Sequence, residues 1–156
     1  MARVDISMSR EEVAGYLPSQ RSGTLASIGP NGFPHQVAMW FVPEPDQILM
    51  WTFRRSQKAL NLRRNPRASL LVEDGDTYDT LRGVMVQGEV ELIDALERVL
   101  QVGRSLHARY GAAYGDDPAA YEAVIARQAP KRVAIVLPMT HVVSWDFRKL
   151  ASSGSQ

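Results

Sequence analysis

The stretch 48–72, ILMWTFRRSQKALNLRRNPRASLLV, concentrates the residues of this chain that are able to do chemistry. Six basic residues (Arg54, Arg55, Lys58, Arg63, Arg64 and Arg67) fall between Arg54 and Arg67, with no acidic residue among them. The chain as a whole is nearly neutral, +1 at pH 7, so this is a local concentration of charge. Ser56 is a good N-cap. A helix starting there presents unpaired backbone N–H groups and the positive end of its dipole among these cations. The chemistry implied is capture of an anion, with the Ser56 hydroxyl as a further donor. A solvated charged turn is the plainer alternative. Placement on a helix start, between two apolar strands, favours anion capture.

The elements that position this corner are legible in the flanking pattern. Residues 48–53 have the composition of a buried strand. A short helix follows over 56–64 and stops at Asn65-Pro66, because the residue before a proline is pushed out of the helical region. Residues 68–72 form the next strand. Upstream, Ser9 and Glu12 have capping-box spacing for a helix over 9–17 with Val13, Tyr16 and Leu17 on its apolar face, ended by Pro18. A strand over 24–28, a turn at Gly29-Pro30-Asn31-Gly32, a strand over 34–42 and a turn over 43–46 complete a meander. Downstream, 73–79 is a polar turn region and 84–93 alternates as one strand with one wet face. Helices are expected over 95–110, where Leu96, Val99, Leu100, Gly103, Leu106 and Tyr110 share a face, and over 118–128. Residues 133–137 and 141–146 are expected to form one final strand bent at Pro138, and 151–156 a disordered tail. The predicted fold is mainly β with peripheral helices: about six antiparallel strands closed into a barrel, in one domain over 1–150.

Composition narrows the function. The chain has 156 residues, 45% hydrophobic and 22% charged, as a soluble globular domain would. Without cysteine there are no disulfides, thiolate metal sites or cysteine nucleophiles. No apolar leader or membrane-length run is present, so a cytoplasmic protein is expected, with neither membrane nor nucleic acid as partner. His35, His107 and His141 match no metal spacing, and their plainer reading is structural. The acids around Glu73-Asp74-Gly75-Asp76 read as a solvated turn. No metal site is expected, and no set of side chains is recognisable as catalytic. An anion-binding corner without catalytic side chains suits a phosphorylated cofactor that carries the chemistry itself. Trp40 and Trp51, with Met39 and Met50 beside them, could line a slot for its flat ring, although large core residues look the same in sequence.

Several motifs together carry a family resemblance. They are Thr24-Leu25-Ala26, the turn Gly32-Phe33-Pro34 with the strand running on to Val42, and the block Lys58-Ala59-Leu60-Asn61-Leu62-Arg63-Arg64-Asn65-Pro66-Arg67-Ala68-Ser69. Gly88-Glu89-Val90, Val142-Val143-Ser144-Trp145-Asp146 and Arg148-Lys149-Leu150 complete them. On these the chain resembles the pyridoxamine 5'-phosphate oxidase-like split-barrel superfamily of flavin and deazaflavin oxidoreductases. More narrowly, it resembles the coenzyme F420-dependent branch found in actinobacteria. The resemblance implies a homodimer of six-stranded split barrels with two cofactors at the interface. It implies phosphate ligands at Thr52, Arg54, Arg55, Ser56 and Lys58, and ring contacts near Met39, Trp40, Met50 and Trp51. Asn61, in the same block, completes the expected cofactor-binding set.

The expected activity is hydride transfer from reduced F420 to an electron-poor organic acceptor. The alternatives are an FMN-dependent oxidoreductase, or a non-catalytic binder of F420, flavin or haem. Six cations exceed what the single phosphate of FMN requires, which favours F420, whose phosphodiester continues into a chain of glutamates.

Overall fold

The structure, a computed structural model, describes residues 5–111 and 117–152. Local chemistry sets most element ends. Helix α1 (Arg10–Ser19) starts at Ser9, whose hydroxyl accepts from Glu12 N–H while the Glu12 carboxylate accepts from Ser9 N–H. It runs one residue past Pro18 rather than ending at it. Strands β1 (Gly23–Ile28) and β2 (Pro34–Met39) pair antiparallel, with Ile28 opposite Pro34. Gly32 makes their turn possible with φ +83°, a conformation open to glycine at little cost.

The remaining elements are β3 (Val42–Pro43), β4 (Gln47–Phe53), α2 (Gln57–Arg64), β5 (Arg67–Asp74), β6 (Arg82–Glu89) and β7 (Glu91–Ile93). Then come α3 (Leu96–Tyr110), α4 (Pro118–Gln128), β8 (Arg132–Pro138), β9 (His141–Asp146) and α5 (Arg148–Ser152). The expected disordered tail therefore begins with two helical residues, Ala151 and Ser152, and its remainder lies outside the described residues.

The strands form two antiparallel sheets, β2-β1-β5-β6-β9 and β3-β4-β8-β7. This corrects the expected six strands: nine are present among the described residues. Three stretches expected as single strands each pass from one sheet to the other. Residues 34–42 divide into β2 and β3, 84–93 into β6 and β7, and 133–146 into β8 and β9. Backbone bonds fix these corners: Val90 N–H donates to Pro66 C=O at 2.8 Å and Met139 N–H to Asp46 C=O at 2.9 Å. Strands that change sheet in this way join the two sheets at their corners, as in a split barrel.

Two apolar clusters result. Leu25, Ile48, Met50, Leu70, Val86, Ile135 and Leu137 fill the space between the sheets, closed at one end by Val13, Tyr16 and Leu17 of α1. On the outer face of the four-stranded sheet, Leu49, Ala134 and Val136 lie under Val99, Val102, Leu106 and Tyr110 of α3. Strands β4 and β8 are thus covered on both faces, which is why they read as continuous apolar runs rather than alternating ones. Burial of each Leu, Ile or Val in these clusters stabilises the fold by about 1.5–3 kcal/mol. No helix among the described residues is long and apolar enough to cross a membrane.

Candidate functional site

Strand β4 ends at the basic corner, and the chain turns into α2. Ser56 caps that helix, its hydroxyl accepting from Ala59 N–H at 3.3 Å. Thr52, buried at the strand end, places its hydroxyl 3.2 Å from that of Ser56. The Lys58 ammonium donates to Thr52 Oγ1 at 3.1 Å. Burial, and then the nearby Arg132 guanidinium, hold the Lys58 pKa below its ordinary value.

These groups open into a cleft of about 590 Å³ between β4 and the α3–α4 pair. Trp40 and Trp51 line it. Each is seated by α3. Trp40 stacks on Tyr110 with centroids 4.6 Å apart and planes 4° from parallel. The Tyr110 hydroxyl donates to Phe41 C=O at 2.8 Å and accepts from Phe41 N–H at 3.1 Å, which fixes the ring. Trp51 lies against Gly103, where an added Cβ would fall 2.8 Å from Trp51 Cζ3. Only glycine allows α3 this close to the indole.

Arg132 enters from the first position of β8, directly opposite Phe53 in the β4–β8 register. Its guanidinium sits 3.7 Å from the Phe53 ring centroid and 5.0 Å from that of Trp51, and donates to Gln128 Oε1 of α4 at 2.6 Å. His107 also lines the cleft, and burial lowers its pKa, favouring the neutral imidazole. None of the described lining residues is acidic.

The sequence-predicted residues divide into three groups. Lys58, Thr52, Trp51, Trp40 and Met39 line the cleft, and Ser56 adjoins it through Thr52. Arg55 is exposed at the corner. Met50, Asn61 and Arg54, also in the expected set, do not line the cleft. Met50 is wholly buried between the sheets, because alternation along β4 turns it away from Trp51. Asn61, also wholly buried, donates to Ser27 Oγ at 3.1 Å and accepts from Gln57 at 2.8 Å, so it ties α2 to β1. Arg54 donates to the carbonyls of Arg132 and Asp94 at 2.9 and 3.1 Å, fastening the end of β4 to its neighbours.

The six-cation run is also altered by the fold. Asp94 accepts two bonds from Arg63, at 2.9 and 2.8 Å, and lies 3.7 Å from Arg54. Glu89 faces Arg67 at 3.5 Å. Three of the five arginines are therefore in ion pairs with acids that lie outside the stretch. The sequence reading missed Arg132, Gln128, Gly103 and Tyr110 as parts of the site. Gly103 and Tyr110 stand on the expected apolar face of the 95–110 helix, whereas nothing local in the sequence signals the other two.

The family described as pyridoxamine 5'-phosphate oxidase matches residues 9–146. A conserved hypothetical protein of Mycobacterium tuberculosis is 45% identical, with 97% of this chain and 92% of that one covered and a TM-score of 0.85. A structure named an F420 reductase is 27% identical over 79% of this chain and 90% of its own, with a TM-score of 0.60. The heme storage protein HutZ of Vibrio cholerae, 14% identical, shares the fold over 92% of this chain and 96% of its own at a TM-score of 0.66. No curated protein matches the chain.

Proposed function

The chain belongs to the pyridoxamine 5'-phosphate oxidase family, and on that premise we propose that it is an F420-dependent reductase transferring hydride to an electron-poor organic acceptor. One observation carries this reading: a half-buried lysine on the first turn of α2 opens into an aromatic cleft whose described lining holds no acid. That donor set fits a flat ring with an anionic tail. Lys58, Thr52, Ser56 and Arg55 would hold the phosphate. Trp40 and Trp51 would flank the ring, and α3 and α4 would exclude water from it. The cofactor, when bound, supplies the hydride, and the protein supplies binding and orientation. The F420 reductase at 27% identity supports the choice of a deazaflavin.

We further propose a homodimer. Val143 is exposed on β9 opposite Met85, and Ala26, Ser69 and Met85 share with it the outer face of the five-stranded sheet. A second copy covering that face would bury them.

A specific observation favours FMN as the second reading. Asp94 and Glu89 occupy three of the arginines, leaving fewer cations for a polyanionic tail. The test is to purify the protein from a host lacking F420 and titrate it with both cofactors. Tighter binding of F420 is expected. A yellow protein with tightly held FMN would reverse the assignment.

A further inference from the structure

The barrel has an open side away from the aromatic cleft. β9 is the last strand of its sheet and β3 the last strand of the other. A groove of about 680 Å³ lies between β9, α1 and the turn from β3 to β4. It shares no described lining residue with the cleft. Val13 and Leu17 of α1, with Met139 and Val142, make it apolar.

The backbone beside this groove is a free sheet edge. Phe147 N–H donates to Leu81 C=O at 2.9 Å, on the β6 side, whereas Asp146 N–H donates to Ile6 C=O at 2.7 Å, on the other side. Strand backbone alternates, so Ser144 and Val142 present their N–H and C=O groups on the same side as Asp146. The segment 6–8 follows this edge as far as Ser144, whose hydroxyl accepts from Met8 N–H at 2.9 Å, and the chain then enters α1. Beyond it, Val142 N–H and C=O have no backbone partner among the described residues. The Val142 side chain stands opposite the buried Val86, lines the groove and is 37% exposed.

The facing wall is acidic. Glu44 and Asp46 line it, and neither is in an ion pair among the described residues, with Arg10 of α1 or with any other cation. Glu44 is bonded by the neutral Gln47 amide at 2.5 Å, which leaves its charge in place. Pro43 and Pro45 on the same wall have no N–H to offer. A main chain entering the groove therefore finds its pairing edge on β9.

We propose that this groove binds an extended peptide segment of another protein, which adds to the β9 edge at Val142. An apolar side chain of the peptide packs against Val13, Leu17 and Met139. A Lys or Arg two residues along, on the same face of the strand, reaches Glu44 and Asp46. Main-chain bonds supply affinity in this mode, and the pockets for alternate side chains supply specificity. The segment 6–8 already uses the same edge in part, and the peptide continues where it leaves.

The test is amide chemical-shift mapping on the isotope-labelled full-length protein. The parent probe is acetyl-Ser-Val-Thr-Lys-Ser-Gly-amide, whose Val and Lys share a face. A second peptide has Glu in place of Lys. A third carries methyl groups on the Val and Lys backbone nitrogens, which removes those donors and keeps both side chains. The protein variants are Val142→Pro and the pair Glu44→Gln with Asp46→Asn, each checked by a thermal melt. Val142 N–H points away from β6, so proline there removes the edge donor and spares the sheet.

Saturable shifts centred on Val142 and Met139 are expected at parent peptide concentrations up to about 1 mM. The Glu peptide should bind at least about threefold more weakly, the scale of exposed charge pairs. The paired amide variant should bind both alike. The methylated peptide should bind wild type about tenfold more weakly or worse, through the lost main-chain bond. Val142→Pro should weaken the parent peptide similarly.

Absence of saturable shifts with the parent peptide overturns the proposal. Equal binding of the methylated peptide also overturns it, since side chains alone would then fill the groove. So does equal affinity for the Lys and Glu peptides. Shifts at Val142 that grow with protein concentration and no peptide present would give the groove to a second copy of the chain, again against the proposal. The methylated peptide decides on wild type alone, so the outcome does not hang on Val142→Pro folding.

Discussion

Replacing Lys58 by alanine separates a binding lysine from a structural one. The ammonium makes one hydrogen bond among the described residues, to the neutral Thr52 hydroxyl, and an ammonium carries three N–H donors. A charge-assisted bond to a phosphate is worth about 1.5–3 kcal/mol, or roughly 12- to 140-fold in dissociation constant. That is the expected loss for F420 or FMN, read from cofactor fluorescence. Stability should move the other way. The folded-state pKa of Lys58 lies below its ordinary value, so folding disfavours the charged form. The resulting penalty is fully present below the folded pKa and is relieved as pH rises through it towards the unfolded value. At neutral pH Lys58→Ala should therefore melt no lower than wild type. Cofactor affinity in wild type should weaken as pH rises through the same lowered pKa, and this arm should vanish in the variant. Unchanged affinity for both cofactors would refute the assignment. Lost affinity accompanied by a clear drop in melting temperature would make Lys58 a structural residue.

Tyr110→Phe should cost about 1–3 kcal/mol in urea unfolding, since it strands both the N–H and the C=O of Phe41 in a buried site. Gly103→Ala puts a Cβ 2.8 Å from Trp51 Cζ3 and 3.1 Å from Ile125 Cγ2. It should shift tryptophan emission, weaken cofactor binding and cost about 1–3 kcal/mol by overpacking. Arg82→Met should raise the midpoint of acid unfolding followed by circular dichroism. Two bonds from Arg82, at 2.8 and 3.0 Å, are the main cause holding the Asp74 pKa below its ordinary value. That contribution is present above the unfolded carboxylate pKa and lost as pH falls through the folded one, so variant and wild type should converge in strong acid.

What could be read from the sequence was whatever local chemistry decides. The Ser9–Glu12 box, the Ser56 cap, the Asn65-Pro66 stop and the apolar run into Phe53 need no knowledge of the rest of the chain. The corners were not legible. Alternation over 84–93 fixes which way each side chain points but not which sheet its backbone pairs with, so β6 and β7 looked like one strand. Two parts of the site were hidden for the same reason. Arg132 reaches the cleft only through its register opposite Phe53, and Asp94 and Glu89 meet the arginines only after folding. Charge counted along a chain takes no account of the acids that the fold brings back to it.

The division between the two apolar clusters bears on how such a cleft can change. The cluster between the sheets includes α1 side chains and none from α3. The cluster on the outer face is made by α3 over β4 and β8, and the same helix seats Trp40 through Tyr110 and Trp51 through Gly103. β4 belongs to both: Ile48 and Met50 face inward, while Leu49 and Trp51 face the helix. Substitutions on the inward face act on the whole fold, because they open a cavity between sheets that share strands. Substitutions on the cleft-facing side of α3 move the indoles while the inter-sheet core keeps its own contacts. Lys58 stands on α2 and is bonded to Thr52 of β4, away from the contacts that α3 makes with the indoles. On the proposed reading, the anion end would be anchored to the barrel and the ring-binding walls to the outer helices. Such a division would separate holding a phosphate from choosing what lies beside it.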